Sequence, residues 1–211
     1  MRKYLTEFVG TFFFVMTIGL VATPNHPLAP LVIGTVLMVI VYMGGHISGG
    51  HYNPAVSLAV YLRGKLPASD LLPYIAAQLL GALAGAYLSY MVLDHTFAPA
   101  PAATATVMTA LMVEMFYTFL LALVVLNVAT SPATSGNSFY GLAIGATIVV
   151  AAFAGGPVSG GAFNPAIGTG TIVVNALAGG GSWSHLWLYW VGPLAGGALA
   201  AAVYRIQQGI A

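Results

Sequence analysis

Long apolar runs separated by short turn-rich breaks make up nearly the whole chain. The first runs from Tyr4 to Ala22 and stops at Thr23-Pro24-Asn25. The second covers Pro30 to Gly45, and the third Asp70 to about Val92. The stretch Asp94-His95-Thr96-Phe97-Ala98-Pro99-Ala100-Pro101 then interrupts the pattern. Val107 to Ala129 is the fourth run, ended by Thr130-Ser131-Pro132. Phe139 to Ala154 is the fifth, and His185 to about Gln207 the sixth. Runs of this length predict helices rather than strands. Two of them hold about 16 residues, or roughly 24 Å of helix at 1.5 Å per residue. That is short of a hydrocarbon core of about 30 Å, so a packed bundle with other elements completing the span is expected.

Composition fixes the solvent. The chain is 59% hydrophobic and 4% charged, against roughly 25% charged in soluble domains. So few charges cannot cover a water-facing surface, which makes this an all-α integral membrane protein with the lipid bilayer as its first partner. With no cysteine, disulfide and thiolate chemistry are excluded. No nucleophile-base constellation, metal-ligand spacing or cofactor motif is visible, so neither an enzyme, a metal site, a cofactor nor a nucleic-acid partner is expected. Met1-Arg2-Lys3-Tyr4-Leu5 looks like the start of a signal peptide, but Ala22-Thr23-Pro24 is a poor cleavage site. An uncleaved first helix is expected.

One polar segment occurs twice. Ser48-Gly49-Gly50-His51-Tyr52-Asn53-Pro54-Ala55 aligns with Ser159-Gly160-Gly161-Ala162-Phe163-Asn164-Pro165-Ala166 at an offset of 111 residues, with six of eight positions identical. Glu7 and Thr11 recur as Glu114 and Thr118. Each half (about 1–95 and 107–211 of one domain, 1–211) thus holds three spanning segments and one Asn-Pro-Ala segment. Three is odd, so the second half enters the membrane from the opposite side, an inverted 3+3 repeat. An inside amino terminus and six crossings put all five basic residues (Arg2, Lys3, Arg63, Lys65, Arg205) on the cytoplasmic side, as the positive-inside rule requires. Both termini are then cytoplasmic.

Asn is a good helix N-cap and Pro is favoured at the first helical position. A helix therefore starts at residue 53 and again at 164, each of about ten residues before Gly64 and Gly179-Gly180-Gly181. That is roughly 15 Å, half the hydrocarbon thickness. Two such half-helices from opposite faces meet amino end to amino end near the midplane. The Ser-Gly-Gly segments before them read as extended backbone, tolerated at that depth only where buried or lining water. The result is a pore walled partly by backbone carbonyls of Ser48, Gly49, Gly50, His51 and Ser159, Gly160, Gly161, Ala162. Each Asn oxygen caps its own helix and its amide nitrogen donates into the pore. Water oriented by both interrupts a proton-conducting chain, and the paired positive helix ends repel cations.

These motifs resemble those of the aquaporin, or major intrinsic protein, family. The carriers are Glu7-xx-Gly10-Thr11, Gly45 to Val56, Ala77-Gln78-xx-Gly81-Ala82, Gly160 to Ala166 and Trp190-Val191-Gly192-Pro193. The resemblance implies a right-handed bundle of six transmembrane helices plus two re-entrant half-helices, a homotetramer with one pore per subunit, and residence in the cell membrane. It implies that Glu7 and Glu114 hold the half-helix loops. Gly168, where glycerol channels usually carry Asp, and Tyr189-Trp190 favour the water-channel branch. One departure matters more: Ile167 stands where most members carry Arg. Counting from the motifs, the selectivity filter comprises Ile33, Ala152, Gly161 and Ile167, a set with no charge or side-chain donor.

The expected function is a passive channel for water and other small neutral solutes. One alternative is passage mainly of larger or less polar neutral solutes or gases, such as glycerol, ammonia or carbon dioxide. A second is a secondary transporter with inverted repeats, and a third an adhesive or structural membrane protein. His51 is expected to pack behind its loop, His46 to lie at the inside mouth, and residues 130–138 to form a solvated cytoplasmic connection.

Overall fold

The computed structural model describes residues 1–22 and 26–209, all helix, turn and loop. Thr23-Pro24-Asn25, expected to end the first helix, lie outside the described residues. The helices are α1 (Arg2–Ala22), α2 (Ala29–Ser48), α3 (Pro54–Leu62), α4 (Ala68–Leu93), α5 (Val107–Val125), α6 (Tyr140–Ser159), α7 (Pro165–Ala178) and α8 (Leu188–Gln207).

Among the described residues, five helices are long and apolar enough to cross a membrane: α1, α2, α4, α6, and α5 extended through Thr130. Six were expected. The remaining long one, α8, has 20 residues, but Tyr189, Trp190, Pro193, Tyr204, Arg205 and Gln207 dilute its apolarity. It packs along α5 much as α4 packs along α1, while α2 and α6 cross each other. Each short helix leans mainly on the long helix that closes the other half: α3 on α8, and α7 on α4. Glycines permit this closeness. A Cβ on Gly197 would lie 2.5 Å from the carbonyl oxygen of Ala55, and one on Gly170 would lie 2.6 Å from the carbonyl carbon of Ala82.

Helix ends account for three differences from the sequence reading. The second and fifth runs were read as ending at Gly45 and Ala154, yet α2 and α6 continue to Ser48 and Ser159, 20 residues each. Glycines and Pro157 do not stop a helix whose neighbours fill the space around it. Both helices instead end on a left-handed glycine, Gly49 at φ 92° and Gly160 at φ 90°, whose N–H returns to the carbonyl of Gly45 or Gly156. Secondly, the Ser-Gly-Gly segments are not extended: Gly50, Tyr52, Gly161 and Phe163 also have positive φ, at 63°, 48°, 69° and 50°. Thirdly, α3 has nine residues but α7 has 14, not ten, ending at Gly179. Thr96 Oγ1 holds the last turn of α7 through a 2.6 Å bond to Asn175 Oδ1.

The chain reverses direction between halves. Lys3 pairs with Asp70, so the first turns of α1 and α4 share one end of the bundle. Arg63 stacks on Tyr204, 4.8 Å from the ring centre, which brings the last turn of α8 to that end. All five basic residues therefore gather at one end. After α5 the chain makes a π turn, Leu126–Thr130. Its loosened carbonyls are taken by the following loop: Thr134 Oγ1 donates to Asn127 O at 2.6 Å and Asn137 Nδ2 to Val128 O at 2.7 Å. Residues 130–138, read as a solvated connection, are thus tied down.

Candidate functional site

The site grows out of two buried carboxylates. Glu7 and Glu114 are each 0% exposed. A carboxylate in such a place needs donors on every side, and the two loops supply them. Glu7 Oε1 accepts from Ser48 Oγ at 2.6 Å and from the His51 N–H at 3.0 Å, and Oε2 from the Tyr52 N–H at 2.7 Å. Glu114 repeats this with Ser159 Oγ at 2.7 Å, the Ala162 N–H at 3.0 Å and the Phe163 N–H at 2.6 Å. Ser48 and Ser159 hydroxyls also accept from the N–H groups of Gly50 and Gly161, at 3.1 Å each.

Consecutive N–H groups gathered toward protein leave the carbonyls turned the other way. Among the described residues no donor meets the carbonyls of Gly160, Gly161 or Ala162, so they are left to the lumen. Tyr74 and Tyr189 clamp the loop entrances, donating to the carbonyls of Ser48 at 2.8 Å and Ser159 at 2.5 Å. Sequence reasoning missed both clamps. The two do stand at equivalent places, each seven residues before a helix glycine, Gly81 and Gly196, but a tyrosine in an apolar run does not say which carbonyl it reaches. It also missed the positive φ of Tyr52 and Phe163, an uncommon conformation for aromatic residues. The hint available was an aromatic residue before each capping Asn in an otherwise duplicated loop.

Asn53 and Asn164 cap their helices as expected: each Oδ1 accepts from the N–H two residues on, Ala55 and Ala166, at 2.9 Å. The amide nitrogens do more than face the lumen. Asn53 Nδ2 donates to Phe163 O at 2.9 Å, and Asn164 Nδ2 to Tyr52 O at 2.8 Å. The two loops are stitched to each other, and each amide keeps one hydrogen for the lumen. Pro54, Ala55, Pro165 and Ala166 are buried in the first turns of α3 and α7.

A cavity of about 340 Å³ passes this junction. It opens at His26, Pro27 and Phe97, and is walled by Ile33, Ala152, Gly161 and Ile167, by both asparagines, and by Phe14, Leu37, Ile144 and Ile148. Its polar side chains are His26, His51, Asn53 and Asn164; the rest of the wall is apolar side chain or loop backbone. A second cavity of about 370 Å³, near the basic end, is bordered by Lys3, Lys65, Asp70 and Tyr74. His51 and Val125 border both, which makes the two spaces neighbours in series. A third, of about 500 Å³, shares Gly49, Lys65 and Thr130 with the second and reaches His46 and the 131–137 loop. His51 is therefore a lumen residue, not one packed behind its loop; the glycine beside it leaves its ring the room. The four residues counted out from the motifs fall together on the outer part of the main cavity. Ser48 and Gly49 border the second cavity; Gly50, Gly160 and Ala162 border the first.

Comparison with known proteins follows the same lines. Residues 1–204 match the family model described as Major intrinsic protein. The chain is 36% identical over 215 residues to Aquaporin NIP1-1 of Zea mays, covering 97% of this chain and 74% of that protein. It is 35% identical over 218 residues to Nodulin-26 of Glycine max, covering 99% and 78%. It is 37% identical over 221 residues to Glycerol uptake facilitator protein-like 6 of Lactiplantibacillus plantarum, covering 98% of each. Among solved structures, the aquaglyceroporin from Plasmodium falciparum shares the fold at a TM-score of 0.87 and 24% identity, over 96% of this chain and 94% of that one.

Proposed function

The chain belongs to the major intrinsic protein family, and on that premise we propose that it is a passive channel whose lumen carries water and other small neutral solutes in single file. The observation that carries this reading is the cavity past Asn53 and Asn164, continued toward the basic end beyond His51. Its wall offers a solute what the reading requires. Loop carbonyls accept from it, the free amide hydrogens of Asn53 and Asn164 donate to it, and apolar side chains hold it loosely.

Ion exclusion follows from the same geometry. The amino ends of α3 and α7 meet at the junction, each a partial positive charge. A cation there meets that field, and no carboxylate lines the main cavity to offset it. The ring of Ile33, Ala152, Gly161 and Ile167 serves as the filter in this reading. Lacking charge and side-chain donors, it favours a broader solute range than a filter holding Arg, which brings glycerol-sized polyols, urea and ammonia within reach. The name of one relative, a glycerol uptake facilitator-like protein, is in keeping with that range. The basic end faces the cytoplasm, the protein resides in the cell membrane, the two repeats act as one channel domain, and subunits assemble as homotetramers with one lumen each.

Stopped-flow light scattering on proteoliposomes, with water, glycerol, urea and ammonia, tests the proposal. Linear, osmotically driven flux that exceeds protein-free liposomes is expected, with proton leak rising in Asn164→Asp. Saturable, ion-dependent uptake would instead establish a transporter, and no flux of any solute a structural protein.

A further inference from the structure

We propose that the side chain of His51 is a hydrogen-bond donor fixed in the lumen, with Ser57 and Gln78 as the positioning residues that keep its proton on Nε2. The proposal rests on the reading of the cavity as the conduction path.

The assignment follows from counting hydrogens outward from Glu7. Its two oxygens already accept from Ser48 and from the N–H groups of His51 and Tyr52. The group of Gln78 that meets Oε2 at 2.8 Å is accordingly the amide nitrogen, as donor. The same Nε2 lies 2.9 Å from Ser57 Oγ. An amide nitrogen has two hydrogens and accepts nothing. Both are engaged, and Ser57 Oγ is an acceptor toward Gln78. The hydroxyl then has one hydrogen to give, and His51 Nδ1 is 3.1 Å away. Ser57 donates, Nδ1 accepts, and the hydrogen of the neutral imidazole sits on Nε2. The ring packs at 5.2 Å against Tyr74. Nε2 has no protein partner and is not among the buried unpartnered atoms. His51 borders both cavities, so this N–H opens on the lumen between them.

The consequence is a one-sided lumen. The position matching His51 in the second half is Ala162, so between the outer mouth, where His26 stands, and the asparagine pair the lumen offers carbonyl acceptors and no side-chain donor. From the midpoint to the entrance of the second cavity there are three donors: one hydrogen each from Asn53 and Asn164, then His51. A neutral solute with a hydroxyl or carbonyl oxygen passes that oxygen from the asparagine pair to His51 on its way toward the basic end. His51 thereby selects solutes that carry a hydrogen-bond-accepting oxygen, such as urea and glycerol.

Two measurements on the full chain in liposomes test this. In protein with 15N-labelled histidine at pH 7, solid-state NMR should show His51 with protonated Nε2 and bare Nδ1, identified by the signal lost in His51→Gln. Ser57→Ala should shift that signal toward a mixture of tautomers. A charged ring, or one protonated on Nδ1 in the unaltered protein, overturns the assignment. In flux assays His51→Leu should lower urea and glycerol permeability by about fivefold, the size of one neutral hydrogen bond, while His51→Gln, which keeps an N–H, should restore at least half. If unaltered protein conducts and His51→Leu matches it for both solutes, the selective role is refuted. If unaltered protein passes neither water nor urea, the conduction reading itself is overturned, and the functional half of this proposal with it.

Discussion

Gly34 of α2 and Gly145 of α6 meet backbone to backbone. A Cβ on Gly34 would sit 2.5 Å from the carbonyl oxygen of Gly145, and a Cβ on Gly145 would sit 2.5 Å from that of Gly34. The same two helices present Ile33 and Leu37, and Ile148 and Ala152, to the lumen. How closely they cross therefore sets the width available to a solute.

A methyl group at this crossing has nowhere to go, because the obstacle is backbone. Gly34→Ala and Gly145→Ala should each destabilise the protein by about 2 kcal/mol, the usual scale for overpacking. The melting temperature in detergent should fall by several degrees and solute flux should change with it. Unchanged melting in both variants would show that the crossing is looser than its geometry implies.

The two carboxylates give a sharper contrast. Gln at position 114 replaces one acceptor oxygen with a donor that faces Ser159 Oγ or the N–H groups of Ala162 and Phe163. Leaving one of those donors buried without an acceptor costs about 1–3 kcal/mol on top of the lost bond. Glu114→Gln should speed amide hydrogen exchange at Ala162 and Phe163 while His51 and Tyr52 stay protected. Glu7→Gln should do the reverse. Equal exchange in both loops for either variant would contradict the separate anchoring of each loop to its own carboxylate.

Much of this arrangement can be read in the chain before any coordinates. The Asn-Pro pairs start helices because of what their own side chains do, and Glu7 and Glu114 announce a polar need inside apolar helices. Local chemistry of that kind leaves a mark in sequence. What it does not mark is reach across the fold. Asn53 donates to Phe163, 110 residues away, and nothing at position 53 alone selects that carbonyl over open lumen. Tyr74 and Tyr189 are two further cases: their hydroxyls matter because α4 and α8 happen to bring them to Ser48 and Ser159. Glycine misled in the other direction. Gly45, Gly155 and Gly156 look like helix ends, and they are helix interiors where a neighbour comes close or where the lumen needs space.

The missing charge in the outer wall can be restored. Ile167 is the third residue of α7, 4% exposed, and borders the main cavity with Ile33 and Ala152. Arg there brings a fixed positive charge and five N–H donors into a ring that has none. Ile167→Arg should cut glycerol permeability about tenfold, equal to about 1.4 kcal/mol of added barrier, and keep water flux within about twofold. Liposome swelling with both solutes decides it. Equal glycerol flux in the two proteins would remove Ile167 from the filter.

Gly49 and Gly160 close equivalent helices with nearly equal φ, 92° and 90°, yet they should not tolerate the same substitution. Alanine at either pays the left-handed penalty of roughly 1–2 kcal/mol. At Gly49 the new Cβ would then meet His51 Nε2 at 2.9 Å, the tip of a side chain that can swing. At Gly160 it would meet Ala100 N at 2.5 Å and Ala100 O at 2.8 Å, backbone of the segment joining the two halves, which is itself held by the bond from Ala102 N to Val158 O at 3.0 Å. Gly160→Ala should therefore cost at least about 1–3 kcal/mol more than Gly49→Ala, the added part being overpacking against fixed backbone. Gly49→Ala should fold and show its effect mainly in solute flux, through the displaced imidazole. Denaturation of the two variants side by side in detergent measures the difference. Equal stabilities would mean that the 94–106 segment yields as easily as a side chain.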